Sequence, residues 1–269
     1  MGDCRYCGKP AGLLRSVHKE CDVKHNSGKK EISSLIEGAA KNAASIGSLK
    51  KKLEDIAKSH FISDPELTSF VVENWGVAVE AAFEDGVLTP EEESNLVEIQ
   101  KAYGLTQKDL DGNGAFTKVV KGTVLRDILN GTIPEQMRVE GNIPFNLQKG
   151  EKLVWIFHGV KYYEQKTRRH YEGGSHGVSI RVAKGLYFRT GGFKAHPVET
   201  TETVHADTGI LGVTNKHVYF AGSVKSFRVA YPKIVSFEPY TNGIGIQRDA
   251  ASAKPQTFIT GDGWFTYNL

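Results

Sequence analysis

The sequence is poor in cysteine, with three in 269 residues, at Cys4, Cys7 and Cys21. An odd number cannot all pair within one chain, which argues against a disulfide-stapled secreted scaffold. The opening MGDCRYC has no apolar stretch of the kind a secretory leader needs. There is no run of about 18 apolar residues, so no membrane-spanning helix is expected. These absences lead to the expectation of a soluble, cytoplasmic chain. Excess charge is also scarce. With 34 Lys and Arg against 31 Asp and Glu, the formal net charge is +3, weaker than a protein that coats DNA by charge alone requires. Catalytic constellations are missing as well. Gly243 and Gly245 give only Gly-X-Gly, with no helix after them to hold a pyrophosphate. Glu199, Glu202 and His205 lie close in sequence, but His158, His170, His176, His196 and His217 are spaced like no metal signature. The expectation is a protein that is not an enzyme.

What is present begins at the amino terminus. Cys4 and Cys7 form a Cys-X-X-Cys pair, His18 and Cys21 a His-X-X-Cys pair, and the ten residues between can loop back to bring the pairs together. Three thiolates and one imidazole are the Cys3His donor set of a closed, tetrahedral structural zinc site. Gly8, Lys9 and Pro10 follow Cys7 as a tight turn, with glycine free to adopt positive φ. A helix over Arg15 to Lys24 would place His18 and Cys21 on one face. A thioredoxin-type redox pair would need a strand before the motif and a helix after it, so zinc is favoured over free or redox-active thiols. Four protein ligands leave no coordination position for water, which points to a structural rather than a catalytic metal. Arg5, Lys9, Arg15, Lys19 and Lys24 surround the motif against Asp3, Glu20 and Asp22, a modest cationic surplus that keeps nucleic acid open as a partner.

After His25-Asn26-Ser27-Gly28, expected to be a hinge, apolar residues recur at helical spacing: Ile32, Leu35, Ile36, Ala39, Ala40 and Ala43, then Leu49, Leu53, Ile56 and Ala57 beyond an interruption at Gly47. Asp64-Pro65 reads as an N-cap and first turn, opening a helix with Phe70, Val71, Trp75, Ala78 and Ala82 inward. Thr89-Pro90-Glu91-Glu92 is a second helix start with a capping box. Asp109, Asp111, Asn113 and Gly114 imitate the opening of an EF-hand loop, but the twelfth position is Val120 instead of a bidentate glutamate. A polar turn between helices is expected there, followed by a helix bearing Phe116, Val119, Val120, Val124, Leu125 and Ile128. The stretch from Phe83 to Glu93, an Asp-Gly turn before Thr-Pro-Glu-Glu, resembles the helical repeats of TerB-like domains. The resemblance implies a helical interaction module and assigns no chemistry.

From about Pro144 onward, aromatic and β-branched residues gather in short runs separated by Gly, Asn and Pro, the pattern of an all-β domain. Strands are expected at 153–163, 178–182, 185–189, 209–213, 217–220, 226–230, 234–239, 243–247 and 257–259, with tight hairpins at Thr214-Asn215-Lys216 and Thr241-Asn242-Gly243. Gly209 to Phe220, Lys225 to Arg228 and Lys233 to Glu238 together resemble the core of bacterial PH-like or GRAM-like domains, over Gly150 to Leu269. The resemblance implies a small barrel that binds lipid headgroups, peptides or proteins. Such barrels are usually closed by a carboxy-terminal helix, whereas here the sequence ends at Tyr267-Asn268-Leu269, so the expectation is a cap that is short or absent, or a helix elsewhere that serves instead. The resemblance also implies an anion-binding loop between the first two strands, here Lys166, Arg168, Arg169 and His170 with Gly173-Gly174 after them. Arginine suits bidentate phosphate contact; the alternative is an ordinary solvated loop.

The sequence therefore predicts an α+β protein of three parts: a zinc knuckle (1–27), a helical middle domain (28–135) and a PH-like β-barrel (145–269). The expected role is a cytoplasmic adaptor or regulator that binds a protein partner, with zinc structural. Nucleic acid, bound by the knuckle and the basic loop, and an anionic membrane surface, bound by the loop, are the alternative partners.

Overall fold

The computed structural model describes residues 2–12, 15–41, 46–134, 143–183, 186–250 and 253–269; the side chains of 46 and 168–200 lie outside that description. The chain divides into two compact units, Met1–Thr132 and Ile133–Leu269.

In the first unit, helices α1 (Lys19–Lys41), α2 (Ile46–Ser59), α3 (Asp64–Ala82), α4 (Pro90–Tyr103), α5 (Gln107–Leu110) and α6 (Ala115–Leu129) follow one another. The expected periodicity builds their shared core. Ile32, Ile36, Ala39 and Ala40 of α1 meet Leu49, Leu53 and Ala57 of α2, with Val71, Trp75, Ala78 and Ala82 of α3 buried among them. Trp75 is 1 % exposed, and its indole Nε1 donates to Leu96 O at 3.0 Å, so the ring is buried without an orphan donor. Asn95 Nδ2 donates to Ala40 O at 3.0 Å, answering one of the carbonyls that the end of α1 leaves without a helical partner.

The helix signals of the sequence act as expected at α4. Thr89 Oγ1 accepts from Glu92 N at 3.2 Å while Glu92 Oε2 accepts from Thr89 N at 3.0 Å, completing the capping box, and Gly104 ends the helix at φ 62°. Thr106 and Asp109 repeat the device at α5. Asp111 accepts from Thr117 N and Oγ1, and Asn113 Oδ1 accepts from Ala115 N, so the EF-hand-like residues form a polar turn into α6. Two expectations are corrected. No hinge lies at 25–28, because α1 runs unbroken through it, with His25 and Gly28 buried. The N-cap of α3 is Ser63, one residue before Asp64.

The second unit is a curled, antiparallel seven-stranded half-barrel. Its strands are β1 (Leu153–Ala183), β2 (Leu186–Thr214), β3 (His217–Gly222), β4 (Ser226–Ala230), β5 (Ile234–Tyr240), β6 (Gly243–Arg248) and β7 (Gln256–Ile259), followed by α7 (Gly263–Asn268). Their order across the sheet is β4-β3-β2-β1-β7-β6-β5, leaving β4 and β5 as edges. Tyr162, Phe220, Phe227 and Phe258 form one aromatic cluster, with Tyr162–Phe258 stacked at 5.2 Å. The expected hairpin at 214–216 joins β2 to β3. The expected runs at 153–163 and 178–182 are parts of one strand, as are 209–213 and the described part, 186–189, of the run before it, because backbone pairing continues through Gly173-Gly174 and Pro197. A carboxy-terminal helix is present but short. It packs on β5 and β6 and buries Phe265 against Trp155 at 4.8 Å and Phe157 at 5.9 Å.

Candidate metal centre

The amino-terminal segment folds back on itself before entering α1. Asp3 and Pro10 form an isolated antiparallel bridge, Cys4 N donates to Lys9 O at 2.7 Å, and Gly8 N donates to Cys4 O at 2.8 Å. Gly8 takes φ 69°, the conformation that lets the Cys-X-X-Cys turn close. Arg5 N donates to Ser16 O at 3.0 Å and so draws the returning strand alongside. His18 immediately precedes α1 and Cys21 lies in its first turn; Asp22 N donates to His18 O.

This backbone brings Cys4, Cys7, His18 and Cys21 together, with one donor atom from each inside 4.8 Å of all the others. His18 Nδ1 lies 3.3 Å from Cys7 Sγ and 3.8 Å from Cys21 Sγ. A tetrahedral ion with bonds of about 2.0 Å to nitrogen and 2.3 Å to sulfur spaces its ligands roughly 3.5 Å apart, so the four donors fit zinc. The second ring nitrogen decides the tautomer. His18 Nε2 lies 3.0 Å from Pro10 O, and because a carbonyl only accepts, Nε2 carries the proton and Nδ1 presents its lone pair to the sulfurs. A backbone carbonyl holding the outer ring nitrogen is the usual support for a metal-ligating histidine.

The thiols are unequal. Burial pushes Cys4 up, but backbone N–H groups of His18, Cys7 and Tyr6 aimed at its sulfur outweigh this and hold it at about 6. Burial, then hydrogen bonding to Cys7 and Cys4, pushes Cys21 up to about 11. Without a cation the site therefore favours the thiolate at Cys4 and disfavours it at Cys21. The N-terminus of the 23-residue α1 adds a favourable dipole for anionic sulfur.

The second candidate set is not assembled as expected. Residues 166–171 are strand backbone of β1, not a loop, with Lys166 opposite Glu202 on β2. Lys166 is exposed, while the side chains of Arg168, Arg169 and His170 lie outside the described residues. His205 Nε2 lies 3.0 Å from Thr208 Oγ1, with the Tyr163 ring at 5.4 Å. His217, scattered in sequence, is part of a buried network. Its Nδ1 donates to Glu151 Oε1 at 2.8 Å, Thr214 Oγ1 donates to the same oxygen at 2.5 Å, and Tyr219 OH donates to Oε2 at 2.8 Å. Nothing in the spacing of Glu151 and His217 advertises this pairing; only the return of β2 and β3 beside the start of β1 creates it. Compared with protein-family models, with curated proteins and with solved structures, the chain matches none.

Proposed function

We propose that this chain is a non-enzymatic binding module, an adaptor or regulator for a protein partner, whose amino-terminal zinc is structural. The observation that carries the reading is the donor set: Cys4, Cys7, His18 and Cys21 bring four donor atoms within 4.8 Å of one another, and around one zinc they would complete a tetrahedron with no position left for water or substrate. Zinc there would tie the knuckle to α1, supplying cohesion to a segment too small for a core of its own. Three thiols kept for metal suit a reducing, cytoplasmic setting, and no helix among the described residues is long and apolar enough to cross a membrane. The TerB-like reading of the helices and the PH-like reading of the sheet belong to the same proposal.

A protein partner is favoured by the edge of the sheet. Strand β5 exposes Val235 (65 %), Phe237 (43 %) and Tyr240 (38 %), and α7, which packs on it, exposes Trp264 (67 %). Exposed aromatic side chains at an unpaired strand edge suit docking of another protein. X-ray absorption on the zinc-loaded protein tests the closed site. Three sulfurs at about 2.3 Å and one nitrogen at about 2.0 Å are expected; an oxygen ligand from water would reopen a catalytic role.

One observation favours nucleic acid as the second reading. Arg5, Lys9, Arg15, Lys19 and Lys24 are all exposed. A fall in DNA or RNA affinity with salt, with a slope reduced by replacing these residues, would support it.

A further inference from the structure

Tyr6 stands in the middle of the Cys4–Cys7 turn, yet its ring packs on the helices. It lies flat on His25 of α1, with ring centroids 4.5 Å apart at 23°, and nearly parallel to Phe61 at 6.1 Å and 21°. His25 is 3 % exposed, and its Nε2 donates to Glu66 Oε1 at 3.0 Å, an oxygen that Lys29 Nζ also approaches at 3.5 Å. A continuous set of contacts thus runs from the knuckle to α1, to the turn between α2 and α3, and to the first turn of α3. Together Arg5, Tyr6, His25, Lys29, Phe61 and Glu66 line much of a cleft of 540 Å3.

Two residues at this place work against local preference. Phe61 has φ 58°, the only non-glycine with positive φ among the described residues. It occupies the left-handed position that ends α2, where Ile62 N donates back to Ala57 O at 2.9 Å, and where glycine would be free of strain. Its ring is engaged by Tyr6 and by Lys24 Nζ at 5.2 Å. Gly28 sits inside α1, where glycine weakens a helix. A Cβ there would lie 2.5 Å from His60 Cβ, so only glycine lets α1 come this close to the end of α2. Both departures bring Phe61 under Tyr6.

We propose that Tyr6 couples metal occupancy of the Cys3His site to the turn between α2 and α3, so that zinc loss releases one wall of the cleft and exposes His25 and Phe61. The inference rests on the zinc reading. With metal bound, Cys4 and Cys7 are pinned on either side of Tyr6, and the ring has no freedom to leave the stack. Without metal, what holds the described part of the knuckle is its backbone hydrogen bonds, the contacts of His18 with Pro10 O and the thiols, and the stack itself.

The test follows hydrogen exchange of residues 57–66 in the full-length protein with zinc bound and after chelation, alongside zinc content and the rate of zinc release to a chromogenic chelator. In the unaltered protein, chelation is expected to raise exchange at 57–66. Tyr6→Ala and Phe61→Gly should each still bind one zinc but release it about three- to tenfold faster, the range one aromatic pair supports. Their exchange at 57–66 should be high with or without metal. Phe61→Gly removes the φ strain, so a folding defect is not expected to obscure the result. Gly28→Ala, remote from the ligands, should speed release in the same way. Absence of zinc from the unaltered protein would overturn the metal site itself. Zinc binding with exchange at 57–66 indifferent to it, or release rates unchanged in all three variants, would overturn the coupling alone.

Discussion

Glu151 stands just before β1 with a fully buried carboxylate. Burial alone would raise its pKa, but hydrogen bonds from Thr214, Gln148 N, Tyr219 and His217 outweigh it and hold the group at about 2, against an ordinary 4.5. A depressed carboxylate contributes stability above the unfolded value and loses it as pH falls toward the folded value. The second unit should therefore weaken between about pH 4.5 and 2 as this one group titrates. Glu151→Gln should destabilise it by roughly 2 kcal/mol at pH 7, in the range for hydrogen bonds to a charged group. The gap from the unaltered protein should narrow on acidification, which denaturation curves across that window would reveal. At the knuckle the proton balance has the same sign, although the thiols differ from one another. Cys21, pushed up to about 11 without metal, keeps its proton at neutral pH, whereas Cys4 at about 6 does not. Zinc binding at pH 7 should accordingly release protons, seen by calorimetry in buffers of different ionisation enthalpy, and affinity should fall as pH falls. Binding without proton release would mean that the thiols are not the ligands.

Among the elements, the helices were the most legible because each signal there is local. Thr89, Pro90 and Glu92 act within one turn, and the apolar period of Val71, Trp75, Ala78 and Ala82 maps directly onto a buried face. Thr89→Ala should cost about 1 kcal/mol by thermal or denaturant melting of the first unit, and Thr89→Ser very little. An effect near zero for Thr89→Ala would show that the box contributes no more than the water replacing it. The Cys/His cluster was legible for a similar reason: the short spacings in Cys4–Cys7 and His18–Cys21 are those of a group that could hold a metal, and the fold brings the four together. What was not legible depends on partners far away in sequence. The hinge expected at His25–Gly28 followed from polar residues and a glycine; in the fold Gly28 makes room for His60 and His25 bonds to Glu66. The loop expected at Lys166–His170 followed from the PH-like resemblance; the backbone there is instead strand, paired with β2. Whether the carboxy-terminal cap is short or absent was left open by the sequence because six residues carry almost no period; α7 is there, capped by Asp262 accepting from Phe265 N at 3.0 Å.

For the whole molecule, the consequence of two compact units is that metal should matter to one of them. Every ligand belongs to Met1–Thr132, so Cys4→Ser or chelation should lower the melting of the helical unit and leave that of the half-barrel within error. Segment-resolved hydrogen exchange during unfolding would separate the two; a shift shared by both would contradict independent units. The account as a whole depends on one ion. Native mass spectrometry of protein purified without chelator, compared with the same sample sprayed under denaturing conditions, measures it directly. One zinc per folded chain, lost on denaturation and absent from Cys21→Ser, is the result predicted. A folded chain carrying no metal, or zinc retained after Cys21 is replaced, would contradict the assignment of these four residues as its ligands.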